Sequence, residues 1–330
     1  MQKLTLEKLL ERINLKSSLK DLAKELEQNF KIGSVYNIFP MFAGYDDVNC
    51  LLTTSSNKFV VKIFSKDKSL EKILSNVEAI VKFSTGGVPV PRLYKNVQDN
   101  YIYETKDKTN TFLILMDYFD GQPFTKMKPI FDDFIKLTRI VSKIHNLPVF
   151  NTKANYDMWL TLYLVTEFDQ KKDYLEHKEY ELIRPVVDEM RKVDFKKLNK
   201  SIVHFDLHRE NIMKSTSGKY AVLDLSGCEY NYTAFDLATF IALFCLDFKN
   251  SLKENQYIYQ KVIDTYSCVD NLNDYEREIM TLLIKATFAS NLLIPSYIQK
   301  TNTDNNPLQT EYYKSLGIRG LMSFKDITFL

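Results

Sequence analysis

The chain has 330 residues, of which 45% are hydrophobic and 26% charged, a balance that excludes a disordered chain and supplies enough apolar side chains for a sizeable core. A single core usually stops growing below this length, so two lobes or domains are expected. With 44 Lys and Arg against 42 Asp and Glu, the net charge of +2 is too small for the electrostatic footprint of a nucleic-acid binder.

Residues 3 to 30 carry Leu6, Leu9, Leu10 and Ile13, then Leu19, Leu22 and Leu26, at three- and four-residue steps, which predicts two helices with Ser17 and Ser18 as caps between them. From 34 to 64 the pieces SVYNIFPMF, NCLLTT and NKFVVKIF are rich in β-branched and aromatic residues. AGYDD and SSN, both turn compositions, separate them, and three antiparallel strands fit. Asp67 is placed to cap a helix through Leu70, Ile73, Leu74, Val77, Ile80 and Val81, which Gly86 and Gly87 stop before VPVP forces extended chain. Further strands are expected at 92 to 97, 101 to 105 and 111 to 117, with Gly121 and Pro123 closing the region.

Beyond 118 helix-period apolar faces recur at 130 to 146, 155 to 169, 173 to 191, 233 to 247, 251 to 267, 274 to 298 and 307 to 323. Only residues 202 to 225 break the pattern, as a polar loop followed by a small hairpin joined by STSGK. The division expected is thus 1–30 for N-terminal helices, 31–117 for a mostly β lobe and 118–330 for a helical lobe.

Cys50, Cys228, Cys245 and Cys268 lie far apart without a CxxC pair, which suggests neither a zinc site nor a disulfide framework and favours a reducing compartment. The N-terminus lacks the continuous apolar stretch of a secretion signal. The longest greasy run, ATFIALFCL at 238 to 246, is about half of what a bilayer crossing requires. A soluble cytoplasmic protein with no membrane partner is expected, and the NxT triplet Asn231 to Thr233 is set aside as chance.

The loop itself, IVHFDLHRENIM at 202 to 213, crowds His204, Asp206, His208, Arg209, Glu210 and Asn211 between apolar pieces. Asp206 and Asn211 stand five apart, and Asp224 ends the apolar strand YAVLD. Short oxygen-bearing side chains at loop and strand ends suit a hard cation such as Mg²⁺, which takes one or two protein ligands and fills its shell with phosphate and water. That is a phosphoryl-transfer arrangement, with one Asp beside the incoming hydroxyl and an Asn and a second Asp on metal. Other parts can then be sought at definite places. Lys62 lies in the strand FVVKIF, where an ammonium could reach α- and β-phosphates, and Glu78 in the following helix is its preferred partner over Glu71 and Asp67 because it lies deepest in that helix. The turn FAGYDDVN at 42 to 49 is placed to cover phosphates, and the backbone of Asp117 and Tyr118 in LILMDYFDG to meet an adenine edge.

HFDLHREN resembles the HxDxxxxN loop of the aminoglycoside phosphotransferase and choline kinase superfamily, YAVLDL its metal-binding strand, and TAFDLA at 233 to 238 its structural helix start. GGVPVPRLY and LILMDYFDG are similar to its nucleotide lobe, so the resemblance spans roughly residues 34 to 245; GYDDVN is similar to the turn of hydroxylysine kinase-like members. The resemblance implies an α+β, two-lobed protein-kinase-like fold with a small antiparallel β lobe and a larger helical lobe. It implies ATP or GTP with Mg²⁺ and a small-molecule hydroxyl as acceptor. Carried over, Asp206 is the catalytic base or hydroxyl-orienting group, Asn211 and Asp224 hold metal, Lys62 with Glu78 handles the phosphates, and Gly44 and Tyr45 cover the nucleotide. His204 and Asp236 brace the loop, while His208 is open between a phosphate contact and a scaffold role.

The sequence also departs from that pattern. The turn at 42 to 49 has a single glycine, so Tyr45 or Asp46 could supply side-chain contacts instead, and Leu225-Ser226 stands where a protein kinase has Phe-Gly. Eleven residues between Asp224 and Asp236 leave no room for an activation segment. Trp159 and Tyr163 are read as core before pocket wall, His145 as a helix-end residue, and Asp132 and Asp133 as dipole partners of a helix start. A hydroxylated amino acid or amino alcohol is the expected acceptor. An antibiotic kinase, a Ser/Thr protein kinase and a nucleotide-binding regulator without turnover are the rivals, and the oligomeric state is left open.

Overall fold

The computed structural model describes residues 6–42, 46–107, 109–152, 156–269, 272–304, 306–324 and 327. The chain forms two compact units, Met1–Gly121 with Ser215–Ala221, and Gln122–Lys214 with Val222–Leu330.

In the first unit the strands β1 (Val35–Met41), β2 (Val48–Thr54) and β3 (Lys58–Ile63) form the expected antiparallel meander. The β2–β3 register sets Asn49 opposite Lys62. Strands β4 (Leu93–Tyr94), β5 (Ile102–Glu104) and β6 (Phe112–Asp117) complete a six-stranded sheet in the order β1-β2-β3-β6-β4, with β5 also on β6. Helices α1 (Leu6–Leu10) and α2 (Leu19–Asn29) share one core with this sheet: Leu9, Leu22 and Leu26 pack with Cys50, Leu52, Val61 and Leu115. Helix α3 (Leu70–Thr85) buries Ile73, Val77, Ile80 and Phe83. Its cap is Ser69, whose hydroxyl accepts the Lys72 amide at 3.3 Å, two residues past the expected Asp67. Gly87 ends it with φ +75°, a conformation that favours glycine.

The second unit contains α4 (Phe131–His145), α5 (Leu164–Lys171), α6 (His177–Met190), α7 (Thr233–Phe240), α8 (Leu252–Ser267), α9 (Asp274–Thr301) and α10 (Pro307–Phe324). The expected helix at 155 to 169 forms only from Thr161, as a tight 3₁₀ turn leading into α5. Short strands frame the polar loop. Strand β7 (Gln122–Pro123) pairs with β9 (Ile212–Lys214), and β8 (Lys200–Val203) pairs with β11 (Glu229–Tyr232). The chain returns through β10 (Tyr220–Val222).

Helix α9 is the central helix of this unit, with Leu283, Ile284, Phe288 and Leu292 wholly buried. By length and composition α9 could cross a membrane, but 89% of its apolar window is buried inside the protein, which is what a core helix requires. Helix α10 lies close against it because Gly317 and Gly320 carry no side chain. A Cβ on Gly317 would stand 2.6 Å from the Leu292 nitrogen, and one on Gly320 would stand 2.2 Å from the Phe288 ring.

Candidate active site

In the second unit β8 delivers the chain into a loop that starts with a strained residue. Phe205 has φ +64°, a left-handed conformation that costs a non-glycine residue roughly 1–3 kcal/mol. Asp236, on α7 and fully buried, holds it there: one carboxylate oxygen accepts the Phe205 amide at 2.7 Å and the other the His204 amide at 3.0 Å. Burial alone would raise the Asp236 pKa, but the hydrogen bond and charge of His145, helped by His204, bring it below the usual carboxylate range. His145 Nε2 lies 2.9 Å from Asp236 Oδ2, and Nδ1 lies 2.6 Å from the Tyr266 hydroxyl. Four buried groups, His145 on α4, His204 just past β8, Asp236 on α7 and Tyr266 on α8, thus fix one backbone kink. The sequence reading assigned Asp236 to this kind of bracing and left His145 as a helix end. Tyr266 carried no local signal.

His204 ties the loop to the strand that leads to Asp224. Its Nε2 lies 3.0 Å from the Leu223 carbonyl, while Nδ1 accepts the Asp206 amide at 3.2 Å, roles that fit the Nε2–H tautomer. The Leu223 amide donates to the Asn211 carbonyl at 2.8 Å, so the two ends of the constellation are joined by backbone. The Asp206 carboxylate is 47% exposed and oriented from two sides: the Asn211 amide donates to Oδ2 at 2.6 Å, and His208 Nε2 lies 3.1 Å from Oδ1. The same Asn211 amide also donates to the Asp206 carbonyl at 3.1 Å. Its own oxygen accepts no bond from any described residue. Asp224 is exposed, has φ +54°, and accepts the Ser226 hydroxyl at 2.8 Å.

His208 is buried against Asp206, Asn211 and Tyr313. Burial opposes its protonation, yet the nearby carboxylates, Asp206 first and then Glu210 and Asp224, outweigh it and raise its pKa. The Glu210 amide works against that rise by donating to Nδ1 at 3.2 Å, a bond an imidazolium could not accept. Arg209 points the other way. Its guanidinium donates to the Phe244 carbonyl at 3.1 Å, the Leu246 carbonyl at 3.3 Å and Asp247 at 3.2 Å. The π-helical turn Ile241–Cys245 that follows α7 frees carbonyls there, and Arg209 binds the loop to them.

In the first unit Lys62 is buried on β3 and pairs with Asp47 at 3.1 Å. Glu78, the expected partner, is half-buried on α3 and makes no ion pair with Lys62 among the described residues. The reason is register. With Asn49 opposite Lys62 and Val48 opposite Ile63, Asp47 at the mouth of β2 sits beside the lysine. Asp47 also accepts Lys68 Nζ at 2.7 Å and the Ser65 amide at 3.0 Å. Burial would raise its pKa, and the two lysines bring it below the ordinary value instead. Gly44 and Tyr45 lie outside the described residues. The amides of Asp117 and Tyr118, placed by sequence at an adenine edge, are spent on the Arg92 and Lys58 carbonyls at 3.0 and 3.4 Å. Phe119 is the first residue past β6 whose amide makes no backbone hydrogen bond to a described residue.

The second unit thus carries a kinked loop with a doubly oriented Asp, an Asn and a second Asp, and the first unit carries a buried strand lysine, residue types that phosphotransferases use. Residues 41–271 match the model of the phosphotransferase enzyme family. The match covers well over half of the chain, and the chain belongs to that family. Solved structures agree in fold. A microcompartment-associated aminopropanol kinase aligns at TM-score 0.68 and 13% identity over 95% of this chain and all of that one. Amicoumacin kinase hAmiN, in complex with AMP-PNP, Ca²⁺ and Ami, aligns at 0.68 and 13% over 96% of each chain. Choline kinase LicA from Streptococcus pneumoniae aligns at 0.57 and 14% over 92% of this chain and 99% of that one. The α+β kinase-like fold expected from sequence is therefore the fold observed, and the protein is an enzyme of that phosphotransferase family.

Proposed function

We propose that this phosphotransferase moves the γ-phosphoryl group of ATP or GTP to the hydroxyl of an amino alcohol or hydroxylated amino acid. The observation that carries the reading is the Asp206 carboxylate, exposed yet clamped by Asn211 at 2.6 Å and His208 at 3.1 Å. An acceptor hydroxyl donating to that carboxylate would be aligned with its lone pair turned away from the acid. Asp206 would take the hydroxyl proton as the new O–P bond forms.

The donor set fits Mg²⁺. The Asn211 amide oxygen and the Asp224 carboxylate are hard ligands. Among the described residues no cluster of three His, Cys, Asp or Glu forms an all-protein cage, so phosphates and water would complete the shell. When bound, such an ion neutralises charge on the phosphates. Lys62, with Lys68 on the same Asp47 carboxylate, supplies cationic groups for the phosphates, and the Phe119 amide is the donor we assign to a nucleobase edge. The aminopropanol and choline kinases among the structural neighbours favour a small amino alcohol, and free, mostly buried cysteines favour a reducing cytoplasm.

The test is ADP or GDP release with Mg²⁺ against aminopropanol, choline, ethanolamine, hydroxylysine, homoserine, methylthioribose, spectinomycin and other aminoglycosides. Stimulation by one amino alcohol or hydroxylated amino acid supports the reading. Stimulation confined to antibiotics, or label transfer to polypeptide alone, overturns the acceptor class, and nucleotide binding without turnover on any acceptor overturns the enzyme.

A further inference from the structure

The C-terminal helix α10 reaches back to the loop of Asp206 through one buried hydroxyl. Tyr313 is 8% exposed, and its Oη lies 3.3 Å from His208 Nε2 and 3.2 Å from Glu210 Oε2. The phenol has one proton and donates it to the carboxylate. It can therefore only accept at His208, whose single Nε2 proton is shared between this oxygen and Asp206 Oδ1 at 3.1 Å, while the Asn211 amide nitrogen, 3.0 Å from Nε2, directs its own protons to Asp206. The Glu210 amide on Nδ1 demands the same tautomer. Glu210 is held in turn by the Gln309 amide at 3.0 Å, one turn earlier on α10. The ring of Tyr313 stands edge-on to the imidazole at 5.8 Å and 89°, and the Trp159 ring closes its other side at 5.9 Å. These bonds form a directed chain, Gln309 to Glu210, Tyr313 to Glu210, His208 to Tyr313, and His208 Nε2 also faces Asp206 Oδ1.

We propose that Tyr313 is a positioning residue for phosphoryl transfer: from α10 its hydroxyl holds the ring plane of His208, and His208 holds the Asp206 carboxylate. The inference rests on Asp206 being the group that meets the acceptor hydroxyl. It makes α10 part of the catalytic apparatus without contact to the reacting atoms. Ring-preserving Tyr313→Phe removes only the hydroxyl, leaving Glu210 with Gln309 and His208 without its second orienting partner.

The experiment uses the whole chain and two readouts. Nitrogen-15 histidine NMR at mildly alkaline pH, with the His208 signals identified from His208→Ala, reports the tautomer and the hydrogen bond at Nε2 without needing turnover. ADP release from Mg²⁺-ATP, with water as the acceptor probe, reports chemistry. The wild type is expected to show the Nε2–H form at His208, and Tyr313→Phe to keep that form but shift the Nε2 resonance as its hydrogen bond changes, while circular dichroism shows the fold retained and nucleotide affinity stays unchanged. Its kcat should fall about tenfold, the lower end for loss of an orienting hydrogen bond. In a His208→Ala background the same substitution should cost less than about twofold, since its path to Asp206 is already cut. Unchanged His208 signals in Tyr313→Phe, or the same fractional loss in both backgrounds, overturns the proposal. Asp206→Ala separates the two ideas: if it retains full activity the functional reading fails, whereas if it is inactive and Tyr313→Phe behaves as wild type only this inference fails.

Discussion

Gly317→Ala probes the closest approach in the second unit. The added methyl would stand 2.6 Å from the Leu292 nitrogen, 2.7 Å from the Phe288 oxygen and 2.8 Å from the Asn291 carbonyl carbon. Ordinary contact begins near 3.4 Å, so the shortfall is about 0.8 Å, and all three neighbours are backbone of α9, which no rotamer change can move. Helix α10 must therefore shift away from α9. We place the cost at the upper end of overpacking, about 3 kcal/mol, less about 1 kcal/mol because alanine is the better helix former. A net loss of about 2 kcal/mol lowers the melting temperature by about 4–8 °C. The same shift would carry the Tyr313 hydroxyl beyond bonding reach of His208 and Glu210, now at 3.3 and 3.2 Å, so ADP release should fall together with stability. Differential scanning calorimetry and the release assay read both effects. A variant that melts within a degree of wild type, or higher, refutes the packing argument.

Three other perturbations follow from single observations. Asn76 is buried on α3 with neither amide atom hydrogen-bonded among the described residues, so Asn76→Leu should stabilise the protein by about 1–2 kcal/mol, seen as a raised denaturant midpoint with an unchanged slope. Tyr266→Phe strands a buried nitrogen of His145 and should cost about 1–3 kcal/mol in the same titration. Asp47 and Asp236 both have pKa values depressed by their cationic partners. The stability they contribute is therefore fully present above the ordinary carboxylate value of about 4 and is lost as pH falls through their lower folded values; an acid titration followed by circular dichroism should show unfolding steepen there, and Asp47→Asn should flatten it.

What could be read from the sequence and what could not divides along distance in the chain. Asp206, Asn211 and Asp224 stood out as candidates because five- and thirteen-residue intervals between short oxygen-bearing side chains are local facts, and the helices announced themselves by apolar period. The brace of the loop was half legible. Asp236 followed from the resemblance, but its partner His145 is 91 residues away, and Tyr266 a further 121 from His145. Tyr313 meets His208 across 105 residues, and nothing in YYKSLG distinguishes it from any half-buried tyrosine. Lys62 shows a different limit. Its helix partner was inferred by analogy, whereas strand register decided for Asp47. The π-helical turn at Ile241–Cys245 was hidden because an apolar run of good helix formers carries no mark of which hydrogen-bond spacing it will take.

The central claim is that Asp206 takes the proton of a small-molecule hydroxyl as that oxygen receives the γ-phosphoryl group. Its most direct test is mass spectrometry of the acceptor after incubation with Mg²⁺ and ATP labelled with oxygen-18 in the γ-phosphoryl group, for wild type and Asp206→Ala side by side. The account predicts a phosphate monoester carrying the label in the wild-type sample and none in the variant, with nucleotide affinity retained in both. Equal product from the two proteins would contradict it.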